Sequence, residues 1–119
     1  MAAQPLLDPA VWASLRALDD DPAFIDELID LFSDDALPRA ERVRASLADG
    51  DHRAAQFAAH SIRGSAGNIG ASEVAAIAAG IERDLEAGVT VATDRVDRLS
   101  EALQRAVSAL LEQRSRPRA

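Results

Sequence analysis

Residues 51–71 read DHRAAQFAAHSIRGSAGNIGA and carry the start and end signals of one helix. The side chain of Asp51 can accept a hydrogen bond from a backbone N–H group of the first turn, as N-capping residues do. Gly70 can adopt the left-handed backbone conformation in which many helices end. The alanines between them favour helix over strand. We therefore predict a helix from about residue 51 to residue 69.

This helix has two faces when its residues are spaced at about 100° around the axis. The face that we expect to be buried consists of Ala54, Phe57, Ala58, Ser61 and Ser65. The opposite face, which we expect to be exposed, consists of Gln56, His60, Arg63, Gly64 and Gly67. A histidine is therefore predicted to point outward from the middle of a rigid helix.

Two glycines follow this histidine, although a glycine inside a helix costs about 1 kcal/mol relative to alanine. Gly64 removes the side chain that would stand between His60 and a reactive group on another macromolecule. Arg63 can place a positive charge near a tetrahedral anion transferred to the imidazole ring. The pattern indicates a histidine that is accessible to a macromolecular partner and able to carry an anionic group.

The rest of the chain is also helical in pattern, with no stretch that alternates as a strand does. The predicted helices cover about residues 9–18, 22–48, 51–69, 72–88 and 93–114. Asp8 is the predicted N-cap of the first helix and Gly88 ends the fourth. Pro38 predicts either one long kinked second helix or two abutting helices.

Four long amphipathic helices joined by short loops predict an all-α fold, an antiparallel four-helix bundle at about residues 22–114. The additional short N-terminal helix would cover the bundle as a lid. The basic run from Arg114 to Arg118 is predicted to fray, with a disordered tail at about residues 115–119. All 119 residues are expected to form one domain, because the chain is too short for two ordinary cores.

Composition argues against several classes of protein. A net charge of −7 opposes nucleic acid binding, and the absence of cysteine rules out disulfides and thiolate metal sites. Residues 1–9 contain neither a basic region nor a long apolar run, and no run of about 20 apolar residues occurs, so we expect a cytoplasmic protein without membrane contact, and a monomer. No metal site is predicted, because the di-iron pattern needs a glutamate where Phe57 precedes His60. Nucleotide-binding and hydrolase patterns are also incomplete.

The segments Ala59-His60, Arg63-Gly64-Ser65 and Ile69-Gly70-Ala71 resemble the signature of the histidine phosphotransfer (HPt) domain family. The resemblance extends over nearly the whole chain, through the kinked second helix, the helix number and the pair Ile81-Glu82. The family prefers lysine at the Arg63 position and often has glutamine at the Glu82 position. Both departures concern residues that we expect to lie close to His60.

The resemblance implies that His60 accepts a phosphoryl group from an aspartate of a response-regulator receiver domain and passes it to another receiver. The expected partners are therefore receiver domains and a hybrid histidine kinase. The receiver would supply Mg²⁺, so the chain would act as a phosphocarrier without a cofactor or an ATP site. The alternative is a docking module that binds and inhibits a receiver or a kinase without being phosphorylated.

The resemblance also implies that Glu82 orients the imidazole ring through the nitrogen that does not carry phosphate. On its helix, Glu82 lies about 65° from the centre of the predicted apolar stripe, where its side chain could lean toward a neighbouring helix. An ordinary surface glutamate remains the alternative. Leu15, Leu18 and Phe24 are candidates for an apolar receiver-docking patch, and they could equally belong to the core.

Overall fold

The computed structural model describes residues 4–18 and 21–115, and within them it contains five helices and no strand. The helices are α1 (Pro9–Leu18), α2 (Pro22–Ala48), α3 (His52–Asn68), α4 (Ser72–Glu86) and α5 (Thr93–Glu112). Helix α3 packs between α2 and α4, and α5 packs against α2 and α4 to close the bundle. The predicted all-α bundle with a short N-terminal helix is confirmed.

Local sequence signals set the helix ends. Asp8 Oδ1 accepts a hydrogen bond from Ala10 N at 2.9 Å, and Asp51 Oδ1 accepts one from Ala54 N at 3.0 Å. The glycines that follow α2, α3 and α4 all have positive φ, with 73° at Gly50, 75° at Gly70 and 77° at Gly88. Helix α2 continues through Pro38, so the long single helix is the correct one of the two predicted arrangements.

The predicted buried face of α3 is wrong by about one residue position, or roughly 100° around the helix. The buried residues are Ala55, Ala58, Ala59, Ile62 and Ala66, whereas Phe57 is 73% exposed. Because α3 has a neighbour on either side, small alanines let it approach α4 closely, where a phenylalanine would hold the helices apart. Ser61 and Ser65 lie at the edge of the buried side, and their hydroxyls donate to the carbonyl oxygens of Phe57 and Ser61.

Helix α1 is fastened over the end of the bundle where α3 meets α4. The backbone N–H of Asp8 donates to Gly70 O at 2.7 Å, and Glu73 N donates to Pro5 O at 3.0 Å. Trp12 is buried, and Leu15 packs partly buried against the core. Leu15 therefore belongs mainly to the core, which is one of the two roles predicted for it. The side chain of Leu18 lies outside the described residues.

The end of α5 is tied to the start of α2. Arg114 Nε and Nη2 each donate to the Asp30 carboxylate at 2.8 Å, and Ser115 donates to buried Asp26 through its N–H (3.0 Å) and its hydroxyl (2.9 Å). These bonds offset the cost of burying the Asp26 carboxylate. The prediction that Arg114 frays is therefore wrong, and Ser115, at the predicted start of the tail, is bonded to α2. Residues 116–119 lie outside the described part of the chain.

Candidate functional site

His60 projects from the middle of α3, with 57% of its side chain exposed. Its chain neighbour Ala59 is fully buried and Ile62 is 1% exposed, so the helix that carries the ring is anchored in the core. The imidazole therefore sits on a rigid support while most of its surface faces solvent. Such a ring is accessible to a reactive group on a second protein.

Glu82 of α4 contacts the imidazole ring, with 2.5 Å between Glu82 Oε2 and His60 Nδ1. Only 15% of the Glu82 side chain is exposed, because it leans across the packed α3–α4 interface. An ionised carboxylate can only accept a hydrogen bond, so the contact holds the ring proton on Nδ1. In a neutral ring, this leaves a free electron pair on Nε2.

Arg63 joins the same cluster through Glu82. Arg63 Nε lies 3.0 Å from Glu82 Oε1, and Arg63 Nη2 lies 3.0 Å from His60 Nδ1. Because the proton on Nδ1 is directed at Glu82, Arg63 bonds to the carboxylate and only approaches the ring. The two oxygens of Glu82 thus bridge the histidine and the arginine. The guanidinium lies at the Nδ1 edge of the ring, a position that spacing along one helix did not predict.

The glycines and the glutamine of the predicted exposed face surround His60 on α3. A Cβ atom added at Gly64 or at Gly67 would meet nothing within 4 Å, so the space beside the ring is open. Gln56 is half-buried one turn before His60. Together with Arg63, these residues and His60 lie on adjacent turns of one helix, as the sequence predicted.

Of the predicted docking residues whose side chains the structure describes, neither Leu15 nor Phe24 lies beside His60. Arg39 Nη1 donates to Ser61 O at 3.5 Å, which places Arg39 level with the histidine. Phe24 is 50% exposed, but it lies fifteen residues before Arg39, about 22 Å along the axis of α2 at 1.5 Å per residue. Leu15 lies on α1, at the far end of α3. Phe57, which was predicted to be buried, is an exposed aromatic residue one turn from His60.

Neither a metal centre nor a membrane span is found within the described residues. No group of three or more histidine, aspartate or glutamate side chains there is arranged to hold a metal ion. No helix in residues 4–18 or 21–115 is both long and apolar enough to cross a bilayer.

Comparison with known proteins identifies the family to which the chain belongs. Residues 27–113 match the family model described as the Hpt domain. The structure is similar to the crystal structure of histidine-containing phosphotransfer protein B (HptB) from Pseudomonas aeruginosa, with a TM-score of 0.83 and 28% sequence identity over 98% of this chain and 100% of that chain. No curated protein sequence matches the chain. Because the family model covers well over half of the chain, including the helix that carries His60, the chain belongs to the Hpt domain family.

Proposed function

We propose that this chain is a phosphocarrier that accepts a phosphoryl group on His60 from a receiver-domain aspartate and passes it to a second receiver. Its family and its similarity to HptB, which is named as a histidine-containing phosphotransfer protein, support histidine phosphotransfer. The observation that carries the assignment to His60 is the contact between its Nδ1 and Glu82, which leaves Nε2 free on an exposed ring.

In the proposed step, the Nε2 electron pair attacks the phosphorus of an aspartyl phosphate. An N–P bond forms, the P–O bond to the aspartate breaks, and the aspartate leaves as a carboxylate. The ring keeps its proton on Nδ1 and becomes positively charged, and Glu82 stabilises this charge at close range. In the second transfer, a receiver carboxylate attacks the phosphorus and the neutral imidazole leaves.

Arg63 has two proposed roles. Its bond to Glu82 holds the carboxylate in the orientation that accepts the hydrogen bond from Nδ1–H of His60. Arg63 also keeps a positive charge beside the ring that would carry the phosphoryl group, with Nη2 3.0 Å from Nδ1, and a guanidinium favours such an anion. The arginine thereby balances the negative charge of a glutamate at a position where the family often has a neutral glutamine.

Receiver domains are the proposed partners, and a hybrid histidine kinase is a further candidate donor. The receiver is expected to bring its Mg²⁺ and to supply most of the charge stabilisation. The chain then needs neither a cofactor nor an ATP site of its own. The monomeric state and the cytoplasmic location stay predictions.

The proposal is tested by transfer of label. Receiver domains of the same organism are phosphorylated with radiolabelled acetyl phosphate and mixed with wild type, His60→Gln or His52→Gln. The chain has two histidines, and His52 lies in the first turn of the same helix, so its variant is the matched control. We expect acid-labile, base-stable label on wild type and His52→Gln only. Label on His60→Gln would contradict the assignment, and receiver binding without any label on wild type would indicate a docking module.

A further inference from the structure

A positively charged groove with an aromatic rim lies next to His60, between the end of α2 and the start of α3. We call it the arginine–phenylalanine patch, and its members are Arg39, Arg42, Arg53 and Phe57. Arg42, Arg53 and Phe57 are exposed. The acidic residue of this groove, Asp51, is already engaged as the N-cap of α3.

The charge of this patch contrasts with that of the whole chain, which is −7. Most arginines with described side chains are bonded to acidic partners, as Arg95 is to Asp84 and Arg105 to Glu73. Arg42 and Arg53 form no ion pair with any residue of the described ranges. Two unneutralised positive charges therefore remain beside an exposed aromatic ring, a combination enriched in protein interfaces.

The patch lies close enough to His60 to be covered by a partner that docks there. Phe57 and Arg53 precede His60 by three and seven residues, which is about 5 Å and 10 Å along α3. A standard protein interface buries about 800 Å² on each partner, equivalent to a disc of roughly 16 Å radius. An interface of this size centred on His60 would cover Phe57 and Arg53. It would not reach Phe24, about 22 Å away along α2.

We propose that the arginine–phenylalanine patch binds the negatively charged docking face of the receiver domain that meets His60, and that it selects receivers by this charge. The inference rests on the proposed function. A donor receiver presents an aspartyl phosphate and the oxygen ligands of its Mg²⁺, so its docking face is rich in negative charge. Arg42 and Arg53 attract this face and speed association, while Phe57 contributes apolar contact once the complex has formed.

Charge reversal tests the patch. A receiver of the same organism that labels wild type is used as the probe, and second-order transfer rates are measured for Arg53→Glu, Arg42→Glu and Phe57→Ser. At low salt we expect each reversal to slow transfer about fivefold, with the difference vanishing near 1 M salt, where the Debye length falls to about 3 Å. Phe57→Ser should slow transfer at every salt concentration. Unchanged rates in all three variants would overturn the proposal.

The control is Arg98→Glu, which makes the same change in net charge on α5, a helix that packs against α2 and α4 on the other side of the bundle. Its transfer rate should equal that of wild type, and an equal loss in Arg98→Glu would mean that net charge alone is responsible.

Binding of the receiver to His60→Gln, with and without Arg53→Glu, separates docking from chemistry. If no receiver labels wild type, the proposed function fails, yet a loss of binding on charge reversal would still support the patch. A low-salt dimer of the chain that Arg53→Glu dissociates would overturn the proposal, because the occupant would then be a second copy.

Discussion

Gly64 and Gly70 lie six residues apart, yet their surroundings are opposite. Gly64 belongs to the open face of α3, defined by His60, Gly64 and Gly67, where an added Cβ would meet nothing within 4 Å. Gly70 belongs to the packed end, defined by its contacts with Val11 and Trp12 of α1, where an added Cβ would lie 3.0 Å from Val11 Cβ. Glycine at the packed end serves the fold, whereas glycine on the open face leaves room for a partner.

The largest expected effect is a loss of stability at the packed end, caused by Gly70→Ala. Gly70 has a φ of 75°, and its missing side chain leaves the space that Val11 fills, so we expect the free energy of unfolding to fall by about 2 kcal/mol. Urea denaturation followed by the fluorescence of Trp12, the one tryptophan, measures this loss.

Gly50→Ala is the matched control for this substitution. Gly50 has a φ of 73°, but a Cβ added there would meet nothing within 4 Å, so only the backbone strain should appear, about 1 kcal/mol. Equal losses in both variants would show that the α1 contact contributes nothing. Transfer per folded molecule should match wild type in both.

An intermediate effect, here on the rate of phosphoryl transfer, is expected from substitution of Glu82. This residue connects His60 on the open face to the packed interface between α3 and α4. Glu82→Ala removes the carboxylate that accepts a hydrogen bond from Nδ1–H of His60. Loss of this charged hydrogen bond should slow transfer by about tenfold. Glu82→Gln can still accept that bond and should retain more activity. Nitrogen-15 spectra of the ring should show the Nδ1–H tautomer decreasing in Glu82→Ala. Wild-type transfer rates in both variants would show that Glu82 does not orient His60.

The smallest effect on stability, with opposite sign to the packed end, is expected for Gly64→Ala. Alanine should raise the free energy of unfolding by up to about 1 kcal/mol while slowing transfer, because it improves helix propensity but narrows access to His60. Gly64→Gln should slow transfer further. Gly80→Ala is the control, since that glycine lies within α4 and its added Cβ would make only an ordinary 3.4 Å contact with Arg95. Gly80→Ala should stabilise the protein without slowing transfer. If Gly80→Ala slowed transfer as much as Gly64→Ala does, access to His60 could not be the reason for the glycine at position 64.

Three features of the structure differ from the sequence-based expectations or go beyond them, and each depends on contact between separate segments of the chain. Phe57 was expected on the buried face because it shares one side of the helix with Ala54 and Ala58, but α3 packs against two helices mainly through its alanines. Ser115 was expected in a disordered tail, because its partner Asp26 is 89 residues away and no local signal links them. The bond between Arg63 and Glu82 also joins two helices, so residue spacing within α3 could not reveal it.

Local residue patterns were enough to predict the helix number, the approximate helix ends and the outward position of His60. These depend on interactions within a few residues, such as the caps at Asp8 and Asp51 and the positive φ of Gly50 and Gly70. Tertiary packing was needed to show which face of α3 is buried, to choose between the two roles left open for Glu82 and to show where unpaired arginines collect. Those outcomes depend on which side chains of distant segments come into contact, and that is fixed by the packing of α3 against α2 and α4.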